Sequence, residues 1–337
     1  MTQFLVRRVL VAIPTLLVIS FIIFAVLDLA PGDPTSQLPL TISAETRASI
    51  RASLGLDDPF VLKYAKWLRQ FFIYEPVALI ENATGWNLTP DVDYPRILSW
   101  QSRSPVYDLI MQRMPQTLWV VGLAYLFGVI IAIPVGVYSA YKHYSWFDQI
   151  GTFVSMIGFS VPTFFTGLLA IILFSVHLKW LPSIYDTTLV VNDWPSFVKQ
   201  VKQMIMPVTV LAFFNASQLS RFMRSSMLDN LGQDYARTAR SKGLVERQVV
   251  WGHVLRNSLI PMVTLIALGI PGIFTGAIIT EQIFRVNGLG DLLIRGIYVS
   301  DIPMVQSISF IFAVLIVLFN IVADVLYGLL DPRIRYD

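Results

Sequence analysis

Residues 234–261 read DYARTARSKGLVERQVVWGHVLRNSLIP, a polar segment that lies between two long apolar runs. Gly232 predicts the end of the helix that enters this segment, and Asp234 predicts the N-cap of a short new helix. The short helix is expected over Tyr235–Lys242, where Gly243 ends it and a return helix follows. The pattern therefore predicts a compact prong made of a helix, a glycine turn and a second helix.

The prong carries an excess of positive charge. Its five cations are Arg237, Arg240, Lys242, Arg247 and Arg256, and its two acids are Asp234 and Glu246. Cytoplasmic loops of membrane proteins are enriched in Lys and Arg, so the charge predicts that the prong lies in the cytoplasm. The small side chains of Ala236 and Ala239 are expected to let the prong seat closely in a groove of another protein.

The composition of the whole chain is that of a membrane protein. Its 337 residues are 55% hydrophobic and only 14% charged, whereas soluble proteins carry about 25% charged residues. The net charge of +3 predicts contact with membrane lipid and an orientation in the bilayer rather than nucleic-acid binding. The chain has no cysteine, which excludes disulfides and thiolate chemistry, and its three histidines lack metal-ligand spacing, so neither a metal site nor a catalytic site is expected.

Six apolar runs predict an all-α polytopic membrane protein with six transmembrane helices. They are Val9–Leu27, Leu118–Val137, Ile150–Val176, Gln203–Ser220, Asn257–Thr280 and Ile302–Ala323. The first run is too long for the apolar core of a signal peptide, and Arg7 and Arg8 before it predict a cytoplasmic N-terminus. An even number of spans then returns the C-terminus to the cytoplasm, on the same side as the prong.

These spans divide the chain into four expected regions. An N-terminal transmembrane helix occupies 1–30, an external insert with amphipathic helices occupies 31–114, and a five-helix core occupies 115–330. The core contains the cytoplasmic loop 226–258, and a cytoplasmic tail covers 331–337.

Polar and helix-breaking residues within the spans are candidates for a translocation path. Pro162 interrupts the third run, which we expect to be one tilted helix, and Phe164 follows in a broken segment of the kind that lines cavities. Asn215 and Gln218 are three residues apart and therefore share one face of the fourth span. Hydrogen bonding between helices is the alternative role for these two carboxamides.

Other polar residues near the membrane favour structural roles. We expect Asn320 and Asp324 to serve in hydrogen bonding, with Asp324 paired to an arginine at the cytoplasmic interface. Asp28 and Glu281 lie near the external interface and are expected to act as caps or loop anchors. Because no chain of carboxylates or histidines runs through the spans, a proton relay is not expected.

The prong resembles the coupling loop of ABC-importer permeases, in the form of the first-type permease of dipeptide and oligopeptide systems. The general family pattern has Glu-Ala-Ala, then a glycine, then Ile-x-Leu-Pro. This chain keeps the second alanine as Ala239 and the glycine as Gly243, whereas Arg237, Thr238 and Arg256 replace the glutamate, the first alanine and the proline, as in first-type peptide permeases.

The resemblance extends beyond the prong. It includes Leu29–Pro34, Glu281, Phe284, Asn287–Gly290, Asp301–Pro303 and the tail Asp331–Arg335. It covers most of 1–34 and 105–337, and we expect 73–104 to contain an inserted segment of about thirty residues.

The resemblance implies a permease subunit of an ATP-driven importer in the bacterial inner membrane. Its ATPase-coupling residues would be Asp234, Tyr235, Arg237, Thr238, Ala239, Arg240, Lys242, Gly243 and Leu244. Its partners would be a second homologous permease, two ATP-binding subunits that hold ATP and Mg, and an external substrate-binding protein. Dipeptides, oligopeptides, glutathione and nickel chelates remain open as substrates.

The absence of a nucleotide motif agrees with this division of labour. No Gly-Lys pair occurs anywhere in the chain, so it has no P-loop, and ATP hydrolysis is expected in the partner subunits rather than here. A self-sufficient secondary transporter or channel is the alternative function. A membrane scaffold that recruits a cytoplasmic protein through its basic loop is a third possibility.

Overall fold

The computed structural model describes residues 2–30, 43–53, 55–86, 88, 95–270, 272–275 and 278–330. Across these ranges the regular structure is helical apart from one isolated β-bridge between Leu98 and Pro105. The all-α prediction is confirmed. The motif residues 31–34 and the tail 331–335 lie outside the described residues.

The helices are numbered in chain order, and several continue into one another through π-helical segments. They are α1 Thr2–Asp28, α2 Ala44–Ser53, α3 Phe60–Arg69, α4 Glu75–Thr84, α5 Val106–Thr117, α6 Leu123–Tyr141, α7 Trp146–Ser160, α8 Thr163–Ala170, α9 Trp194–Leu231, α10 Asp234–Ser241, α11 Glu246–Gln248, α12 Leu255–Gly269, α13 Gly272–Thr275, α14 Ile278–Phe284, α15 Leu289–Tyr298 and α16 Ile302–Leu330. The π-helical segments are Gln70–Tyr74, Leu118–Gly122, Ile171–His177 and Val249–Val254.

Five described helical stretches are long and apolar enough to cross a membrane: Val6–Asp28, Val106–Tyr141, Trp194–Leu231, Glu246–Gly269 and Ile302–Val325. A sixth candidate is the pair α7 and α8, which together pass the same test although they are bent by 103°. If the bent pair is one span, the described residues hold six, the number that the sequence predicts.

The third span is not the single tilted helix that we expected. α7 ends at Ser160, and the backbone of Val161 is extended with φ −84° and ψ 124°. The residue before a proline disfavours helical geometry because the proline ring collides with it. Pro162 therefore ends one helix and begins another at a sharp angle, instead of bending a continuous helix.

The fourth and fifth spans begin earlier in the chain than the apolar runs predict. α9 starts at Trp194, where Asp193 accepts the amide of Ser196 at 2.9 Å in a capping box. The fifth span starts at Glu246 and ends at Gly269. Polar residues near the start of α9 hide that helix beginning from a search for apolar residues, whereas the helix that begins at Glu246 is the return helix predicted after Gly243.

The residues divide into two compact units. The first unit contains 1–9, 115–291 and 315–337. Within it α6 packs closely along α9 at Gly128 and Gly136, where there is no room for a side chain. A Cβ on Gly128 would lie 2.7 Å from the Asn215 side chain, and a Cβ on Gly136 would lie 2.6 Å from the Met223 side chain. Arg8 pairs with Asp324 at 3.2 Å in this unit, so the predicted arginine partner of that carboxylate is found.

The second unit contains 10–114 and 292–314. Its core is a cluster of aromatic rings with neighbouring centroids 4.8–5.9 Å apart, drawn from α1, α3, the π segment after it and α16. The cluster includes Phe24, Tyr64, Trp67, Phe71 and Phe310. The fully buried carboxylate of Glu75 is held in the same unit by Arg96 at 2.7 Å, and Arg96 also pairs with Asp108 at 3.0 Å.

Candidate functional site

The basic segment (residues 234–244) forms the predicted prong. α9 ends at Leu231 with Gly232 as its C-cap, and α10 begins at Asp234. At the far end Gly243 has φ +80°, and its amide donates to the carbonyl of Arg240 at 2.9 Å. This is the left-handed residue that ends many helices. The turn leads directly into the return helix, which begins at Glu246.

The two alanines of the basic segment are buried inside this chain, whereas we expected them to face a groove of another protein. Ala236 is fully buried and Ala239 is 5% exposed. Both belong to an internal cluster with Val249, Val250 and Val254 of the return helix. The small side chains therefore let α10 pack closely on its own chain, and the groove that they fill is not that of another protein.

The polar residues of the basic segment point outward. Asp234, Arg237, Thr238, Lys242 and Gly243 are exposed, as is Leu244, which is 36% exposed. Arg237 lies 3.6 Å from Asp234, an exposed pair of little energetic value. The outer surface of α10 is therefore a cationic and hydroxyl-bearing surface on a well-packed base.

The Arg240 side chain stabilises the basic segment by hydrogen bonds to residues before and after it in the chain. Its guanidinium donates to both carboxylate oxygens of Glu246, at 3.0 and 2.8 Å, and to the carbonyl of Leu231 at 3.3 Å. The hydrogen bond to Glu246 raises the pKa of Arg240 above its ordinary value. One side chain thus joins the end of α9, the short helix and the start of the return helix.

Further hydrogen bonds tie α9 to the segments that follow it. The Tyr235 hydroxyl donates to Oδ1 of Asn230 at 2.7 Å. The Ser226 hydroxyl donates to the carbonyl of Ser258 at 3.0 Å, and the Ser258 hydroxyl donates to the carbonyl of Val254 at 2.9 Å. Displacement of α10 would therefore move the adjoining ends of the fourth and fifth spans together.

A cavity of about 460 Å³ lies between α6, α9, α12 and α13 in the first unit. Asn215 and Gln218 both line it, together with Tyr125, Phe214 and Phe222. The shared helix face that the sequence predicts for the two carboxamides is confirmed. Pro162 and Phe164 do not line this cavity, and both are exposed at the bend between α7 and α8.

An ion pair that the sequence analysis did not identify joins α7 to α9. The guanidinium of Arg224 donates to both carboxylate oxygens of Asp148, at 2.6 and 2.7 Å. The carboxylate is 4% exposed, and it also accepts the amide of Tyr144 at 2.9 Å. A two-point contact of this kind fixes the orientation of both side chains.

A second buried carboxylate organises the loop before α15. Glu281 is 1% exposed, and it accepts hydrogen bonds from the Thr117 hydroxyl at 2.7 Å and from the Asp291 amide at 3.1 Å. Burial raises the pKa of Glu281 to about 7 in spite of these donors. A Cβ on Gly288 would lie 2.2 Å from the carboxylate, so this position has no room for a side chain. The expectation that Glu281 anchors a loop agrees with this geometry.

The chain matches a known family over most of its length. The description "binding-protein-dependent transport system inner membrane component" matches residues 132–336, and the N-terminal part of such membrane components matches residues 1–121. The chain belongs to this family. It is therefore a multi-pass protein of the bacterial inner membrane and a permease component of an ABC transport system, and the inferred resemblance is confirmed.

Curated relatives of this family match the chain from end to end. The oligopeptide transport system permease protein AppB of Bacillus subtilis is 37% identical over 337 residues, which is 100% of each chain. A putative peptide transport system permease protein of Brucella abortus is 36% identical over 339 residues and 100% of each chain. The dipeptide transport system permease protein DppB of Escherichia coli is 34% identical over 358 residues, 100% of this chain and 99% of that protein.

The matched residues 1–121 include 73–104, and the expectation that this segment contains an insertion stays a prediction.

In the described ranges of this permease, no three His, Asp or Glu side chains come together in a group that could hold a metal ion. Asp148 and Arg224 lie just outside the apolar runs Ile150–Val176 and Gln203–Ser220, so neither residue stood out as an isolated charge within a predicted span. Their separation of 76 residues gave no means of pairing them.

Proposed function

We propose that this chain is the membrane-spanning subunit through which an ATP-driven importer passes peptides or similar small solutes. Peptides are proposed as the solute because the relatives named above are peptide, oligopeptide and dipeptide permeases. The chain itself carries out no reaction. ATP and Mg bind to two separate ATP-binding subunits, an external binding protein delivers the solute, and a second homologous permease completes the path.

The observation that carries the proposal is the construction of the basic segment. Its outer surface is exposed and cationic, while its base is fixed by the buried alanines and by Arg240. A rigid protrusion of this kind transmits displacement instead of absorbing it. We assign residues 234–244 to contact with the ATP-binding subunits in the cytoplasm, and both chain termini to the same side.

A cross-linking experiment tests this contact. The chain has no cysteine, so Thr238→Cys introduces a single reactive thiol on the exposed side of α10. We expect a short bifunctional reagent to join this thiol to an ATP-binding subunit in membranes that contain the whole complex. Tyr298→Cys is the matched control, since Tyr298 is 82% exposed at the end of α15 and is assigned to the external side.

Transport by the reconstituted complex tests the function itself. Proteoliposomes that contain both permeases and both ATP-binding subunits should accumulate peptides only when the binding protein is outside and ATP is inside. Uptake by this chain alone without ATP would instead establish a secondary transporter.

The cross-linking experiment has its own contradicting outcome. Cross-linking of the control thiol but not of the Thr238→Cys thiol to an ATP-binding subunit would reverse the assigned orientation.

A further inference from the structure

Two carboxamides in the fourth span lack side-chain hydrogen-bond partners among the described residues. Asn215 and Gln218 make no side-chain hydrogen bond to any described residue, whereas nearby Ser217 bonds the carbonyl of Phe213 at 2.7 Å and Ser220 bonds Ser155 at 3.1 Å. Asn215 is half-buried and Gln218 is exposed, so both carboxamides are accessible. Since both side chains face the 460 Å³ cavity, they are available to a molecule inside it.

Two neighbouring helices pack tightly against the part of α9 that carries these carboxamides. A Cβ on Gly128 would lie 2.7 Å from the Cβ of Asn215, so the backbone of α6 presses directly on this residue. On another side of α9, a Cβ on Gly158 would lie 2.1 Å from the Ser217 hydroxyl. The backbone that carries Asn215 and Gln218 is therefore clamped by two neighbouring helices, which reduces the cost of ordering it around a ligand.

The rest of the cavity lining is uncharged. Phe214, Phe222 and Leu265 supply apolar surface, and the Tyr125 hydroxyl is already used because it donates to the carbonyl of Ile266 at 2.6 Å. The free polar groups are thus two carboxamides, each with a donor and an acceptor. Such a lining suits a neutral ligand group that also has a donor and an acceptor, and it disfavours an unpaired charge.

We propose that Asn215 and Gln218 bind the main-chain amide of a peptide in transit, while the apolar lining accepts side chains without selecting among them. The main-chain amide is the neutral donor-and-acceptor group that every peptide shares. The cavity volume lies in the range of about 300–1,000 Å³ that is typical of small-molecule sites. This inference rests on the proposed function, since it requires that peptides enter the permease.

The test measures uptake of many peptides at once. Complexes that contain wild-type chain, Asn215→Leu or Gln218→Met are reconstituted with the binding protein, and a casein digest of short peptides is supplied outside. Mass spectrometry then gives the uptake of each peptide. Both substitutions keep the approximate side-chain volume and remove the carboxamide. Thr209→Val is the matched control, because it removes an exposed polar group from the same helix outside the cavity lining.

We expect each carboxamide variant to lower uptake about fivefold, the value of one net hydrogen bond of about 1 kcal/mol. The loss should be similar for all peptides, because the main chain is common to them, and the complex should remain assembled. Wild-type uptake in either variant would overturn the inference. So would a loss confined to peptides with polar side chains, or a loss of the sister permease from the complex, which would make the carboxamides an interhelical contact. Failure of the wild-type complex to import any peptide would refute the proposed function itself.

Discussion

Gly243 offers the sharpest test of the basic segment, because its backbone angle and its surroundings separate two effects. With φ at +80° this position lies in the left-handed region, and no heavy atom lies within 4 Å of an added Cβ. A substitution there meets no steric obstacle. Its cost therefore comes from the backbone conformation alone, about 1–2 kcal/mol for a residue with a Cβ.

Three replacements at Gly243 should follow this conformational cost. Gly243→Asn should be mildest because asparagine tolerates the left-handed region, Gly243→Ala should cost about 1–2 kcal/mol, and Gly243→Val should cost most because it is β-branched. A loss of 1–2 kcal/mol reduces the population of the folded turn relative to its alternatives about five- to thirtyfold. We expect peptide uptake per ATP hydrolysed to fall in the same order.

The assay compares uptake with ATP hydrolysis in proteoliposomes that contain the whole complex, after co-purification shows whether the subunits are still associated. Gly252→Ala is the control, since Gly252 lies in the return helix, also has no neighbour within 4 Å of an added Cβ, and lacks a positive φ. Near-normal coupling in the valine variant, or an order of severity that follows side-chain volume instead of left-handed tolerance, would refute the reasoning.

Three further predictions concern buried positions of the first unit. Gly136→Val should destabilise the chain by about 1–3 kcal/mol or more, seen as a lower thermal midpoint in detergent, because its Cβ would lie 2.6 Å from that of Met223. Arg224→Met should cost about 3–5 kcal/mol by leaving the Asp148 carboxylate buried without a cationic partner, and the double variant with Asp148→Asn should recover part of that loss. Because the pKa of Glu281 is raised from 4.5 to about 7, the folded chain keeps a proton that the unfolded chain loses between these pH values. The free energy of unfolding should therefore decrease by about 1.4 kcal/mol for each unit by which the pH rises through this window. Glu281→Gln should flatten the dependence of the thermal midpoint on pH.

The sequence predicted correctly those features whose conformation is determined by a residue and its neighbours in the chain. Gly232 and Gly243 were assigned as helix ends, and both are, since the reason for each is a backbone preference of the residue itself. The shared face of Asn215 and Gln218 follows from helical periodicity alone. These features needed no knowledge of which helix packs on which.

Features that depend on tertiary packing could not be obtained in this way. The partner of Ala236 and Ala239 turned out to be the chain's own return helix, and nothing in an Ala-x-x-Ala spacing distinguishes an internal groove from an external one. Pro162 marked a break, but the angle of 103° depends on how the following residues pack. Thr117 and Glu281 are 164 residues apart in the chain, so their hydrogen bond had no sequence signature.

The continuity of α9 explains how events at the basic segment would reach the cavity. Gln218 on the cavity wall and Leu231 before α10 lie on one helix that has no break between them. These two positions are thirteen residues apart, which corresponds to about 20 Å along the helix at 1.5 Å per residue. Because Arg240 contacts Leu231 directly, the proposed displacement of α10 by an ATP-binding subunit would act on the end of the same helix that carries the carboxamides. The fifth span, which contributes Leu265 to the cavity, begins in the return helix and would receive the same displacement. Under the proposed coupling, movement of this one turn would therefore shift two walls of the cavity, as alternation between two discrete states requires.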